Sequence, residues 1–159
     1  MSNSAKKGKL LRVTDGHSEA AAIFLNLSKD YFSDLPGSER ENFARSVLAR
    51  QGEPNRWLLL LRDESEYIGF VHVKIGGERP GWGFILEFFI VSSKRRLGWG
   101  SWLFQRVVDI LCSHDVTHIW LWSAPEAEMF WRSLGFEETG ETRNGNKVMI
   151  LSLRKGRSG

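Results

Sequence analysis

Between residues 84 and 104 the chain reads FILEFFIVSSKRRLGWGSWLF, an apolar run that gives way to basic residues and two glycines before apolar residues return. The run is apolar on both faces, as in a strand buried within a sheet. From Gly98 to about His114 the residues Leu103, Val107, Ile110 and Leu111 then recur at helical spacing, so a helix opens on the glycines. A strand that needs cover on both faces, joined directly to a helix, restricts the chain to layered architectures of sheet and helix. The turn between them suits a polyphosphate. Gly98 and Gly100 let the backbone come close and point successive N–H groups outward, and a helix start adds partial positive charge. Each favourable charge at such a start is worth about 0.3 to 1 kcal/mol, and Arg95 and Arg96 lie beside it. An ordinary glycine turn with solvated arginines has the same letters, so the turn alone leaves both readings open.

The remaining elements follow from periodicity and turn chemistry. LLRVT at 10–14 reads as a strand, and Asp15 to Ser18 supply an N-cap for a helix through EAAAIFLNLSKDYF. Pro36 and Gly37 break that helix, and Ser38 is placed to cap a second one that ends near Gly52. NRWLLLLRD and YIGFVHVKIGG, separated by polar residues, predict a hairpin, and GFILEFFIVSS predicts a further strand after the turn GGERPG. After the glycine-turn helix come a buried strand HIWLWSA, a short helix from Pro125, and a closing hairpin around Asn144-Gly145.

A chain of 159 residues, 42% of them hydrophobic, can bury one substantial α/β core but not two. We therefore expect one domain over residues 10–153, between a basic N-terminal tail, 1–9, and a basic C-terminal tail, 154–159. No apolar run reaches the roughly 18 residues of a membrane span, and the start MSNSAKKGK has no signal-peptide core, which predicts a cytoplasmic protein without a membrane partner. The formal charge is +3, but Lys6, Lys7, Lys9, Arg154, Lys155 and Arg157 all lie in the tails, so residues 10–153 carry −3. That balance argues against a nucleic-acid groove built into the fold. The single cysteine, Cys112, follows Ile110 and Leu111 and is expected to be a small buried hydrophobe.

No Lys-Ser/Thr pair follows the glycines, as a nucleotide-triphosphate loop would require, and no third glycine completes a dinucleotide fingerprint. The spacing Arg95-x-x-Gly98-x-Gly100 instead resembles the R/Q-x-x-G-x-G/A acetyl-CoA signature of the GNAT superfamily of N-acetyltransferases. A second stretch, Ala127-x-x-Phe130-Trp131-x-x-x-Gly135-Phe136, resembles that superfamily's A-x-x-(L/F)-Y-x-x-x-G-F segment, in the right order and separation. The resemblance covers nearly the whole chain. It implies an α/β (α+β) fold with a central mixed, mostly antiparallel sheet of about six to seven strands flanked by about four helices. It also implies acetyl-CoA as acyl donor and an amine as acceptor. Carried over residue by residue, Phe88, Phe89, Ile90 and Val91 line the pantetheine arm, and Arg95, Arg96, Leu97, Gly98, Trp99, Gly100 and Ser101 hold the diphosphate.

Glu87 is the one charge in FILEFFIV, and a carboxylate in such a strand needs a partner or a task. A task exists, because a lysine-like amine with a pKa of about 10.4 must lose a proton before it attacks a thioester. The resemblance implies the same, since acidic residues at this place serve as base or amine anchor in some relatives. The alternative is a structural ion pair or hydrogen bond with Lys74, His72 or another neighbour. Trp131 stands where the family motif often has a tyrosine thought to protonate the leaving thiolate. Indole N–H donates a hydrogen bond but keeps its proton, so Trp131 either touches the sulfur or only packs. With the tyrosine missing, a catalytically weak acyl-CoA-binding sensor is the rival to an enzyme. In this family the region between the first two helices selects the acceptor, which makes Tyr31 and Asp34, with Glu87, the candidates for the amine. Cys112, His114, Asp115 and His118 bunch together but match no zinc spacing, so no metal is expected. A homodimer is left open.

Overall fold

A computed structural model of the chain describes residues 6–153, and the basic residues at 154–159 lie outside the described part. In chain order the elements are β1 (Lys9–Val13), α1 (Glu19–Tyr31), α2 (Gly37–Ala49), β2 (Arg56–Arg62), β3 (Tyr67–Gly76) and β4 (Arg79–Ile90). They continue with α3 (Trp99–Cys112), β5 (His118–Ser123), α4 (Glu128–Ser133), β6 (Glu137–Arg143) and β7 (Asn146–Ser152). The seven strands form one sheet in the order β1-β2-β3-β4-β5-β7-β6. Its β4/β5 pair is parallel, with Gly83 opposite Ile119 and Phe84 opposite Trp120. The β1/β2, β5/β7 and β6/β7 pairs are antiparallel. This is the mixed sheet with four helices that the sequence predicts. Among the described residues no helix is long and apolar enough to cross a membrane.

The chain forms two compact units. The first comprises residues up to His72 together with Glu87–Leu103, and the second comprises Val73–Leu86 and the chain from Phe104 on. The long strands β3 and β4 each give one part to each unit.

In the first unit α1 starts as expected, with Ser18 Oγ accepting the Ala21 N–H at 3.2 Å. Its buried residues Ala21, Phe24 and Leu27 recur every three positions, so one stripe faces inward. That stripe packs with Val47 and Leu48 of α2, Leu58 and Leu60 of β2, Phe70 of β3 and Phe89 of β4. Full burial of a side chain such as Phe24 contributes about 1.5 to 3 kcal/mol. Two expectations need correction. Helix α2 is entered through Pro36 and not capped by Ser38: Pro36, with φ −57° and ψ 152°, holds the cap position, and its carbonyl accepts the Arg40 N–H at 2.8 Å. Strand β1 begins at Lys9, inside the expected tail, and Gly8 passes over α3 where a Cβ would lie 2.8 Å from the Trp102 ring.

In the second unit β4 begins at Arg79, earlier than the turn GGERPG suggests. The left-handed Gly76 and Gly77, φ 91° and 83°, complete the reversal before Arg79, so Pro80 falls near a strand start, where its missing N–H is tolerated. The β6/β7 hairpin closes at Asn144 and Gly145, with φ of 51° and 80°, as the Asn-Gly pair predicts. Pro125 opens a single 3-10 turn, Pro125–Ala127, ahead of a separate short α4. Cys112 is exposed and not buried: Leu103, Val107 and Leu111 mark the inner stripe of α3, and the residue after Leu111 rotates off it.

Candidate functional site

The glycine turn lies wholly in the first unit. Strand β4 ends at Ile90 and a 3-10 turn over Ser92–Lys94 follows, with the Lys94 N–H donating to Val91 O at 3.0 Å. Arg96 and Gly98 then take left-handed φ of 63° and 89°, which turns the chain into α3. The Gly98 carbonyl accepts the Trp102 N–H at 3.1 Å, which makes Gly98 the residue that starts the helix. The N–H groups of Trp99, Gly100 and Ser101 therefore precede any intrahelical acceptor. No acidic residue stands in that first turn, so the helix end keeps its positive potential. Arg95, Arg96, Leu97, Gly98 and Ser101 are exposed, Gly100 is half-buried, and Trp99 is buried.

Arg95 is partly committed. Its Nε donates to Ile90 O at 2.7 Å and its guanidinium sits 5.6 Å over the Phe89 ring, so it braces the turn against the strand end. Lys94 is tied to the β2/β3 turn by an ion pair of 3.1 Å with Asp63. The Asp63 carboxyl is held well below the usual carboxylate range, first by the N–H groups of Ser65 and Glu66 and then by Lys94. Lys6 also reaches this turn: its Nζ lies 4.6 Å over the Trp99 ring, and a Cβ on Gly98 would sit 3.0 Å from its Cε. One residue of the expected solvated tail thus adds positive charge beside Gly98.

Of the strand residues expected along the coenzyme, Phe89 and Ile90 are buried and Phe88 and Val91 half-buried. The Val91 N–H donates to Ile68 O at 2.8 Å, which spends it on β3. Gly69 of β3 allows a close pass that sequence reading missed. A Cβ there would lie 2.3 Å from Phe89 O and 2.9 Å from Ile90 Cδ1.

Glu87 shares the strand face of Phe89, two residues on, and its side chain retains 10% exposure. Its Oε1 is 2.6 Å from His72 Nδ1, and His72 Nε2 is 2.9 Å from Arg56 Nη1. Of the structural partners the sequence names, His72 is the one bonded, and Arg56 behind it is not among them. Tyr31, at the end of α1, lies edge-on to Phe70 at 5.3 Å and to Phe89 at 5.6 Å. Burial, and then the negative charge of Glu87, push the Tyr31 phenol above its ordinary range, against a backbone hydrogen bond from Phe88. The phenol therefore stays protonated near neutrality. Asp34 is exposed in the loop between α1 and α2.

Trp131 lies in the second unit, 5% exposed, in an aromatic cluster with Phe130 at 4.9 Å, Phe136 at 5.3 Å and Phe104 at 6.1 Å. His114 Nδ1 lies 3.0 Å from Ile110 O at the end of α3, and His118 stacks on Trp82 at 4.3 Å.

A family model for the acetyltransferase (GNAT) family matches residues 21–136. Among solved structures, the PaiA N-acetyltransferase of Thermoplasma acidophilum in complex with coenzyme A aligns with a TM-score of 0.74 at 13% identity, over 92% of this chain and 99% of that one. An acetyltransferase of Thermus thermophilus aligns with a TM-score of 0.71 at 20% identity, over 92% and 97%. An aminoglycoside 6′-N-acetyltransferase complexed with coenzyme A gives 0.71 at 13%, over 91% and 96%. At these identities the likeness is one of fold. No curated protein sequence matches the chain.

Proposed function

Because the chain belongs to the acetyltransferase (GNAT) family, we propose that it moves an acetyl group from acetyl-CoA to a primary amine by direct attack, with Glu87 as the base. The observation that carries this reading is the placement of Glu87 on β4, buried but retaining 10% side-chain exposure, a few residues before a turn with the N–H and charge pattern of a diphosphate site. Coenzyme A in the Thermoplasma and aminoglycoside enzymes supports the same donor here. In this reading the N–H groups of Trp99, Gly100 and Ser101, with Arg95, Arg96 and Lys6, receive the diphosphate, and Phe88 to Val91 run along the arm. Leu97, at the exposed tip of the turn, flanks that site.

An ammonium group cannot attack a thioester, so its proton goes first to Glu87, directly or through a water. The neutral amine then adds to the acetyl carbonyl, the C–N bond forms, and the tetrahedral oxyanion is met by a backbone N–H of β4. Collapse breaks the C–S bond and expels the coenzyme thiolate, the nitrogen gives up its remaining surplus proton to water to become the neutral amide, and the thiolate, which resembles a cysteine thiolate, takes up a proton from solvent. No step in this sequence calls for a metal. Tyr31 shapes the acceptor side as a protonated phenol, and Asp34 draws a cationic amine towards it. Trp131 receives no proton-transfer step, and its aromatic cluster supports a packing role. A cytoplasmic location belongs to the reading, since acetyl-CoA is an intracellular thioester.

Incubating the protein with acetyl-CoA and a panel of primary amines, and following free thiol together with product mass, tests the proposal. Acetylated amine formed in proportion to thiol is the expected result. Tight coenzyme binding without thiol release from any amine would favour a sensor and overturn the enzymatic reading.

A further inference from the structure

Three ionisable side chains stand in a row on one sheet face, one on each of the neighbouring strands β2, β3 and β4. Arg56, His72 and Glu87 are 5%, 2% and 9% exposed. Strand alternation places them on the face of Leu58 and Leu60, of Phe70, and of Phe89, which is the apolar face packed by α1 and α2. Stability alone does not account for such a row. Burying charges costs several kcal/mol per ion, and well-packed apolar residues in place of a buried ionic triad are often neutral or stabilising.

The geometry assigns the protons. A guanidinium only donates, so His72 Nε2, 2.9 Å from Arg56 Nη1, must present its lone pair. The Gln51 amide nitrogen, 3.3 Å from the same Nε2, is a second donor, and it also donates to Val47 O at 2.7 Å. His72 therefore carries its hydrogen on Nδ1 and donates it to Glu87 Oε1 at 2.6 Å. Arg56 is itself held, its Nε donating to Glu53 Oε1 at 3.1 Å while its backbone carbonyl accepts from Arg12 at 2.7 Å.

We propose that His72 and Arg56 are positioning residues for Glu87: Arg56 fixes the imidazole tautomer, and the imidazole fixes the rotation of the carboxylate. With Oε1 occupied by His72, the acceptor left for a proton is Oε2, to which no described residue donates. The inference rests on the reading of Glu87 as the base. It adds that this base is oriented by an imidazole whose tautomer is dictated from the far side by a buried arginine.

Two measurements test it. In 15N-labelled wild-type protein, the His72 ring should show a protonated Nδ1 and an unprotonated Nε2, and Arg56→Met should release the ring to a mixture of tautomers. Protonation of Nε2 in the wild type would overturn the proposal whatever the kinetics. Rates are then measured with acetyl-CoA and phenethylamine, spermidine or an Nα-acetylated lysine peptide, whichever is acetylated. His72→Leu should lower kcat by up to about 100-fold, the scale of a misaligned catalytic group, with KM for acetyl-CoA unchanged. His72→Asn, whose amide nitrogen stands near the place of Nδ1, should recover most of the loss. Equal rates in His72→Leu and wild type, alongside an impaired Glu87→Gln, would overturn the positioning role and leave the base in place. Wild-type turnover in Glu87→Gln would overturn the base reading, and the positioning role with it.

Discussion

Gly69→Ala probes the strand on which the account depends without touching any ionisable group. The added Cβ would lie 2.3 Å from Phe89 O, a backbone atom, and 2.9 Å from Ile90 Cδ1. A relaxed carbon-to-oxygen contact begins near ~3.3 Å, so β3 and the end of β4 must part by about 1 Å. Overpacking of this kind costs about 1 to 3 kcal/mol. In a chain of this size each kcal/mol shifts Tm by about 2 to 4 °C, so a fall of about 2 to 12 °C is expected. Because Phe89 and Ile90 belong to the segment proposed to line the coenzyme arm, kcat/KM should fall further than stability explains, by up to about 100-fold for a displacement of that size. Differential scanning fluorimetry and initial rates on one purified sample measure both. Gly16→Ala is the control, since its Cβ would meet only Leu48 Cβ at 3.9 Å, an ordinary contact, and Tm should barely move. Wild-type Tm and wild-type rate in Gly69→Ala would refute the close approach and the importance given to it.

Three other substitutions have equally definite outcomes. Gly98→Val places a β-branched residue at φ 89° and a Cβ 3.0 Å from Lys6 Cε, so acetyl-CoA affinity by calorimetry should fall at least about tenfold; unchanged affinity in a folded variant would show the turn is not the diphosphate site. Asp63 titrates below its unfolded value of 3.8, so its contribution to stability is complete above about pH 4 and is lost as pH falls through the lower folded value. Asp63→Asn should therefore melt lower than wild type at pH 7, with the difference shrinking below about pH 4; a constant difference across pH contradicts the assignment. Trp131→Phe should lower Tm while leaving kcat within about threefold, since less than 1 kcal/mol of barrier is then involved; a much larger loss of kcat at unchanged KM would restore a role for the indole at the sulfur.

The elements most visible in the sequence are those whose cause is local. Ser18 caps α1, Asn144-Gly145 closes the last hairpin, and the passage from an apolar strand through Gly98 into α3 stands where its letters place it. Local chemistry also misleads where two punctuators compete. Pro36 displaces Ser38 as the start of α2, and Gly76 with Gly77 completes a reversal that the letters GGERPG extend to Gly81. What the letters left open is what register decides: His72 is one of the partners the sequence offers Glu87, and Arg56 behind it is not. The Arg56–His72 and His72–Glu87 contacts join residues 16 and 15 apart along the chain, and only strand order and parity bring them together. Strand β2 is buried along nearly its whole length, so no alternation reveals which face Arg56 takes. Lys6 shows the same limit: seen as letters it is one more basic residue near a terminus, and only packing on Trp99 brings it to the turn.

The central claim is that Glu87 removes the proton of the attacking amine, and it is tested most directly by the pH dependence of turnover in Glu87→Gln. The substitution keeps the shape of the side chain and removes the base. Acetyl-CoA affinity should stay near wild type, while kcat falls by roughly 10² to 10⁴, the usual contribution of a positioned acid or base. Raising the pH should recover part of that loss, as more of the free amine becomes neutral without help from the enzyme. Melting temperature is read on the same sample, because a purely structural Glu87 would instead show a destabilised protein with intact activity per folded molecule. A stable Glu87→Gln with wild-type turnover at every pH would contradict the account.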